Sequence, residues 1–185
     1  MKKLFDKINT QLHENETYVI AIDGRSGAGK STFADQLSVR YGGAVVRMDH
    51  FFLPLALRTP GRVNVHYERF LIEVVPYIKK RESFSYRLFD CTRMDFHGIR
   101  KVDLQTLVIV EGAYSLLPMW DEIYDLRIFY DIDEEEQKER IISRNGTAGY
   151  QKFKDQWIPM EEKYFKEYKV RERSDEIIRI DNLNK

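Results

Sequence analysis

The sequence predicts an α/β protein of three layers, a mostly parallel five-stranded sheet between helices, with a small antiparallel β-ribbon attached. Three observations predict it. Apolar, β-branched runs recur at 17–23, 44–48, 106–112, 126–132 and 176–180, and lack of alternation is the pattern of strands buried on both faces. Helical periodicity fills the gaps, and buried strands alternating with helices imply parallel pairing through right-handed crossovers. The stretch FSYRLFDCTRMDFHGIRKVD at 84–103 instead alternates aromatic and polar residues, as a two-stranded ribbon does.

Each element follows from its own pattern. Leu4, Phe5, Ile8 and Leu12 share one helical face, so residues 1–15 read as an amphipathic helix laid on the domain. TYVIAID forms the first strand and runs into a glycine turn. Phe33, Leu37 and Tyr41, every fourth residue, predict a helix over 30–41 that stops at Gly42-Gly43. Pro54 and Pro60-Gly61 mark a loop, and Tyr67, Phe70, Leu71, Val74, Val75 and Ile78 predict a helix over 64–80. The ribbon is expected to turn near His97-Gly98. Helices are predicted over 134–144 and 150–168, the first N-capped by Asp133 with Glu136 completing a capping box, and ended by Asn145-Gly146. The chain length, 185 residues, suits a single domain.

Composition narrows the function. Thirty basic and thirty acidic side chains give zero formal charge, which argues against a general nucleic-acid footprint. The single cysteine, Cys91, forms no internal disulfide, so a reducing cytoplasm is the expected compartment. Asp6 and Lys7 interrupt any apolar leader, and no run approaches membrane-spanning length. The partner expected is a small molecule, with self-association left open.

The glycine turn carries the chemistry. Gly24 to Ser31 fits G-x-x-x-x-G-K-[ST] without a mismatch, between a buried strand and a helix. In this motif glycines let backbone N–H groups curl around phosphate oxygens, the lysine reaches the β- and γ-phosphates, and the hydroxyl holds Mg²⁺. Gly24, Arg25, Ser26, Gly27, Ala28, Gly29, Lys30, Ser31 and Thr32 are therefore the nucleotide-binding candidates, aided by the helix N-terminus. The whole then reads as a P-loop NTPase fold binding ATP or GTP with Mg²⁺.

Other residues choose among such proteins. No guanine-reading N-K-x-D segment is found; DNLNK at the C-terminus has nothing after its Asn-Lys. The most apolar strand ends LVIVEG, making Glu111 the metal-side carboxylate with Ser31, or a simple helix cap. Asp49, in VVRMDHFF, lies at the carboxyl edge where doubly wound sheets bind ligands; it can take a proton from an incoming hydroxyl, cap a helix, or hold a metal-bound water. Phe51 and Phe52 either wall a substrate pocket or belong to the core. Arg140 and Arg144 share a helical face. Arg140 could pair with Glu136, worth about 0.3–0.5 kcal/mol, but two like charges on one face favour an anion opposite them.

GRSGAGKST, VVRMDHFF, LVIVEGAYSL, YDLRIFYDI and RIISRNG occur in an order that resembles the uridine kinase and phosphoribulokinase group of P-loop kinases, and FKDQWIPMEEKYF…RERSDEIIRI resembles the uridine kinase tail. The resemblance runs from about residue 17 to 181. It implies transfer of a γ-phosphoryl group to a small-molecule hydroxyl, most simply of uridine or cytidine. It places Asp49 as the catalytic acid, Lys30 and Ser31 on phosphate and Mg²⁺, Glu111 as the E-G carboxylate, and Arg140 with Arg144 in a lid over 133–150.

The nucleoside-reading segments depart from that pattern. NVHYERF stands for N-F-D-H-P-D, with His66-Tyr67 where the acid belongs, and FDCTRM keeps Asp90 but has Phe89 for tyrosine and no histidine in place. Phe51, Tyr67 and Asp90 are the remaining substrate-contact candidates. Arg58, Arg62, Arg87, Arg93 and Arg100 make this region basic, which suits either an anionic acceptor or an ordinary solvated surface.

Overall fold

The computed structural model describes residues 1–59, 63–103 and 106–180. Its strands are β1 (Tyr18–Gly24), β2 (Ala44–Arg47), β3 (Phe84–Asp90), β4 (Asp95–Val102), β5 (Leu107–Glu111), β6 (Leu126–Ile132) and β7 (Glu176–Ile180). Five form one sheet in the order β2-β5-β1-β6-β7, with every neighbouring pair parallel. The five apolar runs read from the sequence are these five strands. β3 and β4 form a separate antiparallel ribbon.

Two cores follow from the pleat of the sheet, because successive strand residues face opposite sides. Ile20 and Ile22 of β1 pack with Leu4 and Ile8 of α1 (Lys2–Glu14) and with Phe33 and Leu37 of α2 (Lys30–Tyr41). Val19 and Ala21 face the other core, which holds Phe70 of α3 (Tyr67–Glu73), Ile78 of α4 (Val75–Lys80) and Tyr164 and Phe165 of α6 (Ile158–Glu167). Burying each large aliphatic side chain contributes about 1.5–3 kcal/mol. Among the described residues no helix is long and apolar enough to cross a membrane.

Three expectations change in detail. The helix expected over 64–80 is two helices, broken at Val74 (φ −126°). Pro76 has no N–H for the preceding turn, and its ring collides with the carbonyl four residues back. The ribbon turns at 91–94, not at His97-Gly98: the Asp90 carboxylate accepts from the amides of Thr92 (2.7 Å) and Arg93 (3.2 Å), closing the turn early. Gly98 (φ +76°) sits inside β4, whose pairing slips between Arg87 and Phe89, so the glycine marks an irregular strand. Lastly, α5 (Glu134–Lys152) contains a break at Gly146 (φ 73°) and continues through a π-helical turn, Phe153–Trp157, into α6. Asp133 caps α5 through the amides of Glu135 and Glu136, while the Glu136 carboxylate goes to Arg140 instead of closing a capping box.

The ribbon is fixed to the sheet by a buried polar knot. Arg69 is only 4% exposed. It donates to Glu73 (3.0 Å), to the His50 carbonyl (3.0 Å) and to the Arg87 carbonyl (2.6 Å), and stacks over Phe51 and Phe96. Glu73 also receives the Arg87 guanidinium and backbone amide. Burial opposes the charge on Glu73, but the hydrogen bonds from Arg69 and Arg87 outweigh it and pull its pKa from 4.5 to about 2. A depressed carboxylate pKa gives stability that is complete above 4.5 and lost as pH falls toward about 2. Thermal melts from pH 7 to 2 should therefore show a steep acid loss in the native chain. Glu73→Gln should melt lower at pH 7 and show a shallower acid limb; parallel limbs would remove Glu73 from this role.

Candidate active site

The carboxyl ends of β1, β2 and β5 meet at one cavity of about 1310 Å³. This is the edge where open α/β sheets bind ligands. Ser26, Gly27, Gly29, Lys30, Ser31, Thr32, Asp49, Glu111, Arg140 and Arg144 all line it. Its cations, Lys30, Arg58, Arg140, Arg144, Lys152 and Lys163, outnumber its anions, Asp49, Glu111, Asp155 and Glu161. A chain without net charge thus carries a locally positive cleft, which suits a polyanion.

The glycine loop is built from the strand upward. At Gly24 (φ +130°) an added Cβ would lie 2.0 Å from the Tyr130 carbonyl oxygen, so only glycine lets β1 pass β6 here. Arg25 turns away from the cavity to Asp131 (3.2 Å) and Glu162 (2.9 Å), and its amide donates to the Tyr130 carbonyl. Ala28 is buried in the core. Gly24, Arg25 and Ala28 therefore shape the loop while the rest face the cavity. Lys30 folds back over the loop, donating to the carbonyls of Gly24 (2.7 Å) and Arg25 (2.9 Å). α2 starts at Lys30, so its first-turn amides lack intrahelical acceptors beside Ser31 and Thr32.

Two carboxylates face this loop. Asp49 sits in a 3₁₀ turn, Met48–Phe51, directly after β2. Its side chain is open to the cavity, yet the enclosing protein raises its pKa; Lys30, Arg47 and Arg144 act against that rise. Glu111 ends β5, with one oxygen 3.2 Å from the Ser31 hydroxyl and the other 2.6 Å from Arg47. Arg47 lies opposite Glu111 in the β2–β5 register and also holds Asp35 at 2.6 Å. Burial raises the Glu111 pKa, opposed by Arg47. The Ser31 and Glu111 oxygens converge as hard donors of the kind Mg²⁺ takes, a metal that leaves most positions to phosphate and water. Among the described residues no cluster of three or more His, Cys, Asp or Glu side chains could hold a metal ion.

Arg140 and Arg144 reach the cavity from α5. Arg140 is paired with Glu136 (2.7 Å), and Arg144 donates to the Asn145 side chain (2.8 Å). Three substrate-contact candidates lie elsewhere. Phe51 is fully buried against Phe70 and Tyr86, whose rings are 5.1 and 5.0 Å away, and its neighbour Phe52 lines the cavity instead. Tyr67 borders a separate cavity of about 410 Å³. Asp90 is spent on the ribbon turn, and Arg93 pairs with it at 3.7 Å. Arg87 serves Glu73. Arg62, Pro60-Gly61 and the C-terminal DNLNK lie outside the described residues.

Sequence reasoning missed Glu161. This α6 residue is 6% exposed, lines the cavity, accepts from the Ser26 amide at 3.1 Å, and also hydrogen-bonds the Ser26 hydroxyl. A carboxylate thus occupies donors of the loop that wraps phosphate. Nothing local in MEEKYF distinguishes Glu161 from Glu162, which points to Arg25 instead. Weakening this contact should favour nucleotide. Exchanging a charged acceptor for a neutral one removes about 1 kcal/mol of hydrogen-bond strength, so Glu161→Gln should bind ATP roughly fivefold more tightly by calorimetry. Weaker binding at unchanged melting temperature would mean that Glu161 holds the loop in its phosphate-binding shape.

No protein-family model matches the chain. Solved structures do resemble it. A candidate uridine kinase from Bacillus stearothermophilus superposes with a TM-score of 0.69 at 18% identity, over 95% of this chain and 99% of the other. A candidate fructose transport system kinase from Silicibacter sp. TM1040 gives 0.71 at 22% identity, over 88% and 90%. The D-glycerate 3-kinase of Cryptococcus neoformans gives 0.61 at 14% identity, over 87% of each chain. With its parallel sheet, glycine loop and antiparallel ribbon, the chain has the P-loop NTPase α/β fold that these kinases share.

Proposed function

We propose that the protein transfers the γ-phosphoryl group of ATP or GTP, with Mg²⁺, to a hydroxyl of a small molecule. One observation carries the reading: Lys30, Ser31, Asp49, Glu111, Arg140 and Arg144 line the same cavity. Loop amides and Lys30 hold the triphosphate. Ser31 and Glu111 are the residues that would hold Mg²⁺, which neutralises charge on the phosphate oxygens when bound. Asp49 accepts the proton of the attacking hydroxyl, and its raised pKa strengthens it as a base. Arg140 and Arg144 stabilise charge moving onto the leaving oxygen.

The acceptor is a separate matter. The resemblance favours uridine or cytidine, but Tyr67 and Asp90, two positions expected to contact such a nucleoside, lie outside the cavity. His66, which stands where the ribose-reading acid belongs, instead meets Glu68 at 3.1 Å. Specificity therefore rests on other residues of the cleft.

Asp49→Asn should lower turnover by about 10²–10⁴-fold while ATP affinity holds, measured by coupled ADP release with a responsive acceptor. Lys30→Ala should lose both turnover and nucleotide affinity. Full activity in Asp49→Asn would rule out Asp49 as the base.

A further inference from the structure

One cation beside the site is divided between two partners. Arg47 ends β2 opposite Glu111 in the β2–β5 register. Its Nη1 donates to Glu111 Oε1 and its Nη2 to Asp35 Oδ1, both at 2.6 Å. The two acceptors differ in their surroundings: the Glu111 side chain is 5% exposed and the Asp35 side chain 56%. Neither Arg47 nor Asp35 is among the described residues that line the cavity, so both act from behind Glu111.

Helix α2 completes the arrangement. Ser31 and Asp35 are four residues apart and so share one of its faces. The Ser31 hydroxyl meets Glu111 Oε2 at 3.2 Å, and Asp35, one turn later, meets Arg47. Ser31, Glu111, Arg47 and Asp35 thus form a chain of contacts that leaves α2 and returns to it. Both oxygens of Glu111 are taken by donors of the protein itself, and one of those donors is a full positive charge. Arg47 also acts on Asp49, together with Lys30 and Arg144. A guanidinium and a divalent cation on one carboxylate repel each other. Arginine stays protonated in proteins, so Arg47 can relieve that repulsion only by moving.

We propose that Arg47 is a positioning residue that competes with the divalent cation for Glu111, and that Asp35 is the acceptor onto which its guanidinium withdraws. This rests on the phosphoryl-transfer reading and adds to it a control of metal entry. The planar fork of arginine suits the exchange, because a guanidinium matches two carboxylate oxygens pairwise. One of its nitrogens already lies on Asp35, so withdrawal completes a bidentate pair at the exposed end. Asp35 touches neither nucleotide nor metal in this scheme. It acts on metal binding only through Arg47.

Electron paramagnetic resonance of Mn²⁺, titrated into the full chain with the β,γ-imido analogue of ATP, reads the affinity of the nucleotide complex for a divalent cation. Arg47→Gln should tighten Mn²⁺ by at least about fivefold, because the competitor is gone. Asp35→Asn, at an exposed helical position, should weaken Mn²⁺ by about threefold, because the guanidinium loses its second acceptor. The double variant should match Arg47→Gln within about twofold, since Asp35 has nothing left to act through. Calorimetry of the analogue in EDTA should leave all three variants within about twofold of the native chain. Where the melting curve shows that Arg47→Gln does not fold, Arg47→Lys takes its place. Lysine keeps the charge without the fork that spans both carboxylates, so Asp35→Asn should again add nothing. The inference fails if Arg47→Gln leaves Mn²⁺ affinity unchanged or lowers it, or if Asp35→Asn weakens Mn²⁺ equally with and without Arg47. It fails too if metal-free nucleotide affinity shifts by the same factor, which would make Arg47 a phosphate ligand. A native chain that binds no Mn²⁺ with nucleotide would overturn phosphoryl transfer itself, whereas binding indifferent to Arg47 overturns this inference alone.

Discussion

The site depends on a carboxylate that never meets solvent. Asp23, at the end of β1, is fully buried and accepts three hydrogen bonds: from the Gly24 amide (2.7 Å), the Leu116 amide (3.0 Å) and the Tyr164 hydroxyl (2.8 Å). Each donor belongs to a different part of the molecule: the start of the glycine loop, the segment after β5, and α6. Burial pushes its pKa up, and Lys30 with the three donors opposes that rise. Leaving such a buried acceptor without one of its donors costs about 1–3 kcal/mol, more where it is charged. The loop, the strand that carries Glu111 and the helix that carries Glu161 therefore keep fixed relative positions.

Above this anchor the molecule divides its labour. The parallel sheet supplies the charged groups at the strand ends, where register alone brings Arg47 beside Glu111. The opposite wall comes from the segment after β2 and from the ribbon turn, which contributes Cys91 and Met94. That wall is held to the sheet by Arg69 and Glu73 and by the Phe51–Tyr86 ring contact. Rings at this spacing add about 0.5–1.5 kcal/mol beyond their burial. On the proposed reaction, one wall would hold the donor and the other would meet the acceptor.

This division also explains what the sequence revealed. β1 and β5 were legible because every residue of each is buried, leaving unbroken apolar runs. The glycine loop was legible because its residue types are forced by backbone geometry, as the Tyr130 carbonyl forces Gly24. Phe51 and Phe52 were not separable, since adjacent residues point opposite ways and only tertiary packing decides which meets the core. The ribbon turn was misplaced because a glycine competed with Asp90, whose side chain closes the turn by bonds that no periodicity reports. Glu161 was invisible for a third reason: its partner, Ser26, lies 135 residues away.

The helical path from Glu134 to Glu167 is continuous in sequence but broken in geometry at Gly146, and the break has a consequence. Arg140 and Arg144 lie toward one end and Glu161 toward the other, so the same path brings two cations and one anion to the cavity. Gly146 and the π-turn at 153–157 depart from α-helical geometry and both lie between the arginines and Glu161. Tyr164 fastens α6 to Asp23 and Gln137 fastens α5 to the Ser26 carbonyl, so each end of the path is tied to the strand or loop that it serves. Two departures from regular winding thereby let one run of chain bring both signs of charge to a single cavity.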